Sequence, residues 1–171
     1  LLYVIASDRK RAGTLQGPVV GTVMSNLGLE QKLQAEGVEF LRAKVGDRYV
    51  LAMLKEHGGV LGGETSGHLL CLDRTTTGDG LVSALEVLAV MKRTGRPLAE
   101  LVAGMPKFPQ VMINVRVKER IDPSQSRVIQ DAVKRVEKGL GATGRVVLRA
   151  SGTEPVIRVM IEAEDEAVAS R

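Results

Sequence analysis

The sequence predicts an α/β protein in two parts: an α/β-layered domain over residues 1–107 and a small α+β domain over residues 108–171. Up to about Gly104, short β-rich runs alternate with helical ones, an order that implies an α/β layer with some parallel strand pairing. After the linker-like segment GMPKFPQ, the order changes to a strand, a helix and two more strands. The apolar fraction of 44% is typical of a packed globular protein.

In the first domain, strands are predicted at PVVGTVM, VEFLRAK and HLLCLD, and helices at LGLEQKLQAEG, DRYVLAMLKEHGG and DGLVSALEVLAVMKRTG. We expect Asp47 to cap the helix that begins at Arg48, because an Asp side chain accepts an orphan backbone N–H. Gly58 should end that helix, because Gly tolerates a left-handed conformation. The helix from Gly80 to Thr94 is apolar on most sides, which predicts that it is largely buried.

The second domain opens with a strand whose alternate residues are apolar: Val111, Ile113, Val115 and Val117. A helix is predicted to begin with Asp122 as its cap, Pro123 at its first position and Gln125 reaching back to the cap. The strands GRVVLR and PVIRVMIEA follow. Alternation in the last strand predicts that Ile157, Val159 and Ile161 point inward, and that Arg158, Met160 and Glu162 point outward.

Composition narrows the classes of function. No apolar run approaches the ~20 residues that span a bilayer and the start does not fit a signal peptide, so we expect a cytoplasmic protein without a membrane partner. Cys71 lies in an apolar run, which favours a buried, inert thiol. A net charge of +4 suits an anionic partner, but two Phe, two Tyr and no Trp leave few rings to stack on bases. Phosphorylated small molecules therefore fit better than nucleic acid.

The segment from Arg149 to Pro155, with Arg158 beyond it, is a candidate phosphate site. A tight loop between two strands gathers small hydroxyls and backbone N–H groups, while two arginines approach from either side. Such a nest of donors beside guanidinium groups suits a phosphate dianion. The alternative is an ordinary hairpin turn, and the two arginines decide in favour of phosphate.

A glycine-rich segment, Gly62 to His68, is a candidate sugar-binding loop. Glycines let the backbone approach a ligand, and a carboxylate, a hydroxyl and an imidazole can hydrogen-bond several sugar hydroxyls. His68 could also act as a general base or acid near neutral pH. A glycine-rich turn without a ligand explains the pattern equally well when the segment is considered alone.

Three further features carry weaker signals. The segment from Lys44 to Arg48 follows a predicted strand, where ligands of open α/β sheets bind, although Asp47 already has a role as a helix cap. The segment from Thr75 to Asp79 is best explained as a turn and helix cap. His57 is best explained as a surface residue at a helix end. No metal-ligand spacing, P-loop or catalytic Ser/His/Asp set is recognisable.

The chain closely resembles the α-D-phosphohexomutases in four segments, which are in order KVGDRYV, GGETSGH, TTTGDG and RASGTEPVIRVMIEAED. The sequences of the first and third segments are most similar to the bacterial phosphoglucosamine mutase branch. The resemblance spans essentially the whole chain and departs from the pattern at the variable position Thr65. These enzymes have four domains around a cleft. The resemblance implies that this chain is the α/β-layered third domain and most of the fourth.

The resemblance also implies an activity for the whole protein. Phosphoglucosamine mutases interconvert glucosamine 6-phosphate and glucosamine 1-phosphate, a step towards peptidoglycan precursors, through a phosphoserine and a hexosamine 1,6-bisphosphate intermediate. The phosphoserine and the Mg²⁺ loop belong to the first and second domains, so the missing N-terminal domains would supply them. This chain would be a fragment truncated at both ends, inactive alone and without a metal site of its own.

Site residues carry over from the family by motif. His68 would lie near the reacting centre as a proton acceptor. The residues expected beside the sugar are Glu64, Ser66, Gly67, His68, Lys44, Gly46 and Asp47. Those expected to hold the non-reacting phosphate are Arg149, Ser151, Gly152, Thr153, Glu154 and Arg158.

Two readings of function stay open beside this one. The family also contains phosphomannomutases and phosphoglucomutases, and the residues near Glu64 do not reveal which sugar is recognised. A stand-alone module that binds some other anion, nucleic acid included, is the alternative from a different class. A homodimer is compatible with each of them.

Overall fold

The structure is a computed structural model that describes residues 1–151 and 154–170. The chain divides into two compact units, Leu1–Lys107 and Phe108–Arg171, which are considered separately below. In the described part of the chain, no helix is both long enough and apolar enough to cross a membrane.

The first unit is a four-stranded sheet with helices on its faces. Its strands are β1 (Val19–Thr22), β2 (Phe40–Ala43), β3 (Leu61–Gly63) and β4 (Leu69–Cys71). Its helices are α1 (Leu2–Arg11), α2 (Leu27–Ala35), α3 (Asp47–His57), α4 (Gly80–Thr94) and α5 (Leu98–Val102). The alternation of strands and helices and the parallel pairing predicted from the sequence are confirmed.

The order of the strands gathers several loops at one edge of the sheet. The order is β2-β1-β3-β4, with β1 parallel to both β2 and β3 and with β4 antiparallel to β3. The carboxyl ends of β1, β2 and β3 therefore lie together, beside the start of β4. Because β2 and β3 flank β1 on opposite sides, this edge contains a topological switch point, where open α/β sheets bind ligands.

The core lies on both faces of the sheet, as β1 illustrates. Its neighbouring residues Val19 and Val20 are both fully buried, and they belong to different apolar clusters. Val19 packs with α1, including Ile5, whereas Val20 packs with α3, including Leu54. Successive strand residues point to opposite faces, so both faces of this sheet must be covered.

Strand β3 is not among the strands predicted from the sequence. Two of its three residues are glycines, which strands disfavour. The fold requires small residues here, because a Cβ on Gly62 would lie 2.7 Å from the carbonyl oxygen of Val20 and 2.8 Å from Cγ1 of Val50. Close packing against β1 and α3 therefore overrides the weak strand propensity.

Two of the predicted helix ends are confirmed and one is displaced. Asp79 caps α4, its Oδ1 accepting hydrogen bonds from Leu81 N and Val82 N, and Gly58 ends α3 in a left-handed conformation with φ of 68°. The prediction that Asp47 caps α3 is wrong, because Gly46 occupies the cap position. Asp47 is instead the first helical residue, and its carboxylate accepts from Arg48 N at 2.7 Å.

The prediction that α4 is largely buried is wrong. Ser83, Val87 and Val90 are buried, but Leu81, Leu85 and Leu88 are 79%, 65% and 56% exposed. The helix packs against α1 and β4 along one side, and the leucines lie on the other side. The apolar composition of a helix therefore does not show whether other parts of the chain pack against each of its sides.

The second unit is a three-stranded antiparallel sheet. It contains β5 (Gln110–Arg116), α6 (Arg127–Leu140), β6 (Gly144–Ala150), β7 (Val156–Ala163) and the short helix α7 (Glu166–Ala169), with 3-10 turns at Pro123–Gln125 and Gly141–Thr143. The strand order is β5-β7-β6. Asp122 caps the first 3-10 turn, accepting from Ser124 N at 2.9 Å, and α6 begins after that turn rather than at Pro123.

The predicted orientation of β7 is wrong at two positions. Met160 and Glu162 were expected to point to solvent, yet they are 2% and 0% exposed. The buried Glu162 carboxylate accepts hydrogen bonds from Gln110 Nε2 at 2.8 Å and Arg145 Nε at 2.6 Å. A buried charge is tolerated when it is paired in this way, and simple alternation cannot reveal the partner.

Candidate functional site

The predicted sugar-binding loop is the connection between β3 and β4. It closes as a tight turn in which Glu64 N donates to His68 O and Gly67 N donates to Glu64 O, both at 3.0 Å. Gly67 has a φ of 92°, which non-glycine residues rarely adopt. Ser66 is exposed in the middle of this turn. The loop therefore projects its carboxylate and hydroxyl groups from the carboxyl edge of the sheet.

A hydrogen bond joins this loop to the segment that follows β2. Glu64 Oε1 accepts from the backbone N–H of Gly46 at 2.7 Å. Gly46 has a φ of 124° and directly precedes α3. Two segments that are 18 residues apart in the sequence are thus held together at one edge of the sheet.

His68 lies between two further residues of this edge. Its Nδ1 is 3.8 Å from Asp47 Oδ2, and its side chain is 39% exposed. On the other side, a Cβ built on Gly78 would overlap the Nε2 and Cδ2 atoms of the imidazole ring. The loop from Thr75 to Asp79, expected to be only a turn and a helix cap, therefore also packs against the histidine.

Lys44 and its neighbours surround an aromatic ring. Lys44 Nζ lies 6.0 Å from the centroid of the Tyr49 ring, and the Arg48 guanidinium lies 4.5 Å from it. Arg48 Nη2 also donates to the Tyr49 hydroxyl at 2.6 Å. The sequence prediction included Lys44 but missed Tyr49, which lies in the first turn of α3.

A cavity of about 290 Å³ opens beside Glu64. Its polar lining includes Ser25 and Asn26, from the loop after β1, and Tyr3 from α1. Sequence reasoning missed these residues. The loop after β1 was a recognisable candidate, because β1 is parallel to β2 and β3 and so ends at the same edge. Arg42 anchors this loop, its Nη1 donating to the carbonyl oxygens of Thr22 and Ser25.

The predicted phosphate loop lies in the second unit, between β6 and β7. Arg149 and Arg158 are direct cross-strand partners, and both are half-buried. Among residues 1–151 and 154–170, neither guanidinium makes a hydrogen bond or an ion pair with another side chain. Like charges in directly opposed positions destabilise an antiparallel pair. The two arginines thus form a concentrated positive charge at the start of the hairpin loop.

Ser151 and Glu154 mark the two ends of the described part of that loop. Ser151 is buried, its N–H donates to Val156 O at 2.8 Å, and its Oγ accepts from Glu154 N at 3.3 Å. Glu154 is exposed. Gly152 and Thr153, the other predicted phosphate-binding residues, lie outside the described residues.

The remaining candidates do not form a second site. Cys71 is 1% exposed, and burial raises the pKa of its thiol, as expected for an inert core cysteine. His57 is exposed at the end of α3. In the residues described by the structure, no three His, Cys, Asp or Glu side chains come together to hold a metal ion. The described residues therefore do not supply the ligands of the Mg²⁺ site that the resemblance implies for the whole protein.

Comparison with known families matches both units. Residues 1–108 match the phosphoglucomutase/phosphomannomutase α/β/α domain III, and residues 112–171 match the C-terminal domain of the same family. The chain belongs to the phosphoglucomutase/phosphomannomutase family. The family resemblance and fold class expected from the sequence are confirmed.

Relatives within the phosphoglucomutase/phosphomannomutase family carry a more specific name. A phosphoglucosamine mutase of Alkalilimnicola ehrlichii is 58% identical over 170 residues, which are 99% of this chain and 38% of that protein. A phosphoglucosamine mutase of Methylococcus capsulatus is 58% identical over 166 residues, 97% of this chain and 37% of that protein. The chain thus spans somewhat over a third of the length of these relatives.

Solved structures of the phosphoglucomutase/phosphomannomutase family share the fold. The N-acetylphosphoglucosamine mutase of Aspergillus fumigatus, solved with GlcNAc-6P and magnesium, has a TM-score of 0.79 at 19% identity and covers 99% of this chain and 43% of its own. A family member from Burkholderia thailandensis has a TM-score of 0.73 at 23% identity, covering 99% and 38%. At these identities the likeness establishes the fold alone.

Proposed function

We propose that this chain is the substrate-holding part of a phosphoglucosamine mutase, an isomerase that interconverts glucosamine 6-phosphate and glucosamine 1-phosphate. The names of the relatives that are 58% identical support the reaction. The observation that carries the role of this chain is the cross-strand pair Arg149 and Arg158. The chain spans 38% of a relative, and we assign turnover to the longer protein and expect this chain alone to be inactive.

The arginine pair is suited to a phosphate dianion. Neither guanidinium has a carboxylate partner among the described residues, so the two repel one another until an anion neutralises them. Each offers a fork of donors to phosphate oxygens. The loop between the strands adds Ser151, Gly152, Thr153 and Glu154 to the proposed phosphate site. Small residues and backbone N–H groups in such a loop supply directional donors.

Sugar recognition is assigned to the edge of the first unit. A carboxylate can accept several hydrogen bonds, so the bond from Gly46 to Glu64 Oε1 leaves the Oε2 atom for sugar hydroxyls. Ser66 and Lys44 are exposed and add a hydroxyl and an ammonium group. Gly67 lets the loop turn tightly, and Gly46 lets the neighbouring segment donate its N–H to Glu64. This edge would hold the ring while the phosphoryl group is exchanged with the serine of the longer protein.

His68 is assigned the role of proton acceptor. The phosphoryl group moves from a serine of the longer protein to a free sugar hydroxyl, whose proton His68 accepts. The resulting hexosamine 1,6-bisphosphate then returns its other phosphoryl group to the serine. The Oδ2 atom of Asp47 lies 3.8 Å from His68 Nδ1. The N-terminal domains would supply the serine and the Mg²⁺ site, and the fungal relative was solved with magnesium.

Calorimetry on the 171-residue chain tests the assignment. Glucosamine 6-phosphate should bind weakly, and Arg149→Gln should reduce the affinity about 10- to 100-fold, since a hydrogen bond to a charged group contributes roughly 1.5–3 kcal/mol. Arg120→Gln, which changes an exposed arginine of the same unit, is the matched control. Unchanged affinity in the Arg149→Gln variant would contradict the proposed phosphate site. Strongly salt-dependent binding of an oligonucleotide that sugar phosphate cannot displace would favour an anion-binding module instead.

Sugar choice is tested separately from phosphate binding. Glucosamine, glucose and mannose 6-phosphates should be compared in turnover by the full-length enzyme, with glucosamine preferred. Preference for glucose or mannose would reassign the protein to the phosphoglucomutase or phosphomannomutase activities of its family. A role in peptidoglycan precursor synthesis, a cytoplasmic location and a homodimer remain predictions from the sequence.

A further inference from the structure

The loop from Thr75 to Asp79 contains a glycine whose conformation does not require one. Gly78 is absent from the glycines with positive φ, so other residues could adopt its backbone conformation. The space around its α-carbon, however, leaves no room for a side chain. A Cβ at this position would overlap Nε2 and Cδ2 of His68 and lie 2.8 Å from Cε1. The imidazole ring occupies the volume that any side chain at residue 78 would need.

Both ends of this loop are held in place. At its start, Thr75 N donates to Cys71 O at 3.0 Å, which ties the loop to the end of β4. At its other end, Asp79 caps α4 through Leu81 N and Val82 N, and Ser83 Oγ donates to Asp79 O at 2.7 Å. The backbone at Gly78 is therefore a fixed surface rather than a segment that yields to the ring.

The His68 side chain, by contrast, is 39% exposed. Among the described residues, the only charged group that it approaches is Asp47, and the gap of 3.8 Å is longer than a hydrogen bond. Contact with the Asp47 carboxylate alone would leave several orientations of the ring open. Contact with Gly78 on the opposite side removes those in which the ring swings away from Asp47.

We propose that Gly78 is a positioning residue for His68: its bare α-carbon makes the space in which the imidazole lies beside Asp47. The inference rests on the proposed function for its catalytic consequence, though the contact itself stands on the geometry. It also gives the TTTGDG segment a role beyond that of a turn and helix cap. A methyl group at residue 78 displaces the side chain, because the far end of a rotatable ring yields more readily than a capped loop.

The chain offers a matched control for the test. Gly80 lies in the same segment, has no positive φ, and a Cβ there would meet nothing within 4 Å. Gly78→Ala and Gly80→Ala thus add the same methyl group two residues apart. The sequence has two histidines, so imidazole resonances in the labelled chain comprise one set from His68 and one from His57.

Nuclear magnetic resonance of the ring tests the contact without any ligand. Gly78→Ala should move the Cε1–H and Cδ2–H resonances of His68 and leave those of His57 in place, whereas Gly80→Ala should move neither set. Unmoved His68 resonances in a folded Gly78→Ala chain would overturn the proposal. Equal movement in the Gly80→Ala chain would overturn it as well, since a general disturbance of the helix start would then explain the result.

Turnover in the full-length enzyme tests the consequence. Gly78→Ala should lower kcat about 10- to 100-fold, the size expected when a general base is misplaced, while Gly80→Ala stays within about twofold. Added to His68→Ala, Gly78→Ala should cause no further loss, because the ring it displaces is gone. A full further loss in that background would overturn the positioning role. Moved resonances with unchanged turnover would support the contact and overturn the catalytic role proposed for His68.

Discussion

Arg149 and Arg158 face each other directly across the β6–β7 ladder, in register and on the same face of the sheet. Natural sheets avoid like charges in this position, because each pair weakens the strand pairing. Nothing in the described part of the second unit neutralises either guanidinium through a hydrogen bond or an ion pair. The arrangement is easiest to understand if the protein keeps the repulsion in order to bind an anion.

The first prediction concerns this repulsion. Arg158→Gln should leave the chain as stable as before or more stable by about 0.2–1 kcal/mol in the absence of phosphate, because it removes one of two opposed charges. Added phosphate should raise the melting temperature of the original chain but not that of the variant. Thermal unfolding followed by circular dichroism measures both effects. Arg120→Gln should keep the response to phosphate; if it loses the response too, the effect is one of net charge.

The second prediction separates the two roles of Glu64. Glu64→Gln keeps an oxygen that can accept from Gly46 N, so stability should change little, whereas Glu64→Ala leaves that N–H without its partner. The Ala variant should lose about 1–3 kcal/mol of unfolding free energy. Urea unfolding followed by tyrosine fluorescence reports on the first unit, which contains both tyrosines. Equal stability of the two variants would show that the hydrogen bond does not hold the loop.

The third prediction concerns a buried charge that anchors α1. Arg9 is 5% exposed, and it donates to Asp73 Oδ1 at 2.9 Å and to Glu86 Oε2 at 3.0 Å. Arg9→Met should cost about 3 kcal/mol in urea unfolding, because Asp73 and Glu86 lose their buried partner and keep only the exposed Arg74. Arg93→Met is the comparison, since the exposed Arg93 pairs with Asp8 and its loss should cost less than about 1 kcal/mol. A similar loss in both variants would contradict this ranking.

The fourth prediction is a dependence on pH at Glu36. Burial raises the pKa of this carboxyl group, but hydrogen bonds from Ser7 and Tyr3 and the nearby Lys32 outweigh it and lower the pKa below the ordinary value of 4.5. A lowered pKa in the folded state means that Glu36 stabilises the fold above pH 4.5 and loses this effect as the pH falls through its folded pKa. The stability difference between the original chain and Glu36→Gln should therefore shrink on acidification.

Acid titration followed by circular dichroism measures that difference. Glu56→Gln is the control, because Glu56 is exposed and its substitution should leave the acid limb of the stability curve unchanged. If the stability difference between the Glu36→Gln chain and the original chain stays constant down to the acid transition, Glu36 does not contribute to the pH dependence of stability.

The fifth prediction contrasts two apolar residues of α4. Leu85→Gln should change the unfolding free energy by less than about 0.5 kcal/mol, because Leu85 is 65% exposed in this chain. Val90→Ala should cost about 2 kcal/mol, because Val90 is 1% exposed and its methyl groups are packed in the core. Tyrosine fluorescence in urea compares them, and a large loss in the Leu85 variant would mean that α4 is covered in solution.

Several features were predictable because they depend on local rules. The cap at Asp79 and the stop at Gly58 follow from which residues satisfy helix ends or tolerate a left-handed backbone. The hairpin that carries Arg149 and Arg158 follows from two β-rich runs around a segment of turn residues. The order of four short motifs was specific enough to indicate the family.

Other features depended on partners far away in the sequence. Gly62 and Gly63 make a poor strand by propensity. They form one because a Cβ on Gly62 would collide with β1 and α3, and a Cβ on Gly63 would collide with Leu69 of β4. Leu85 and Glu162 were assigned to the wrong environment for a related reason: periodicity shows that a face is apolar or polar, but not whether anything covers it.

By itself, the sequence determined the alternation of elements, the helix ends at Gly58 and Asp79, and the residue types available for binding phosphate and sugar, because these depend on short-range backbone preferences and side-chain chemistry. The tertiary structure alone decided that Glu64 meets Gly46, that His68 lies against Gly78, and which apolar residues are buried. Those pairings depend on strand order and close packing, which bring together atoms that no local pattern connects.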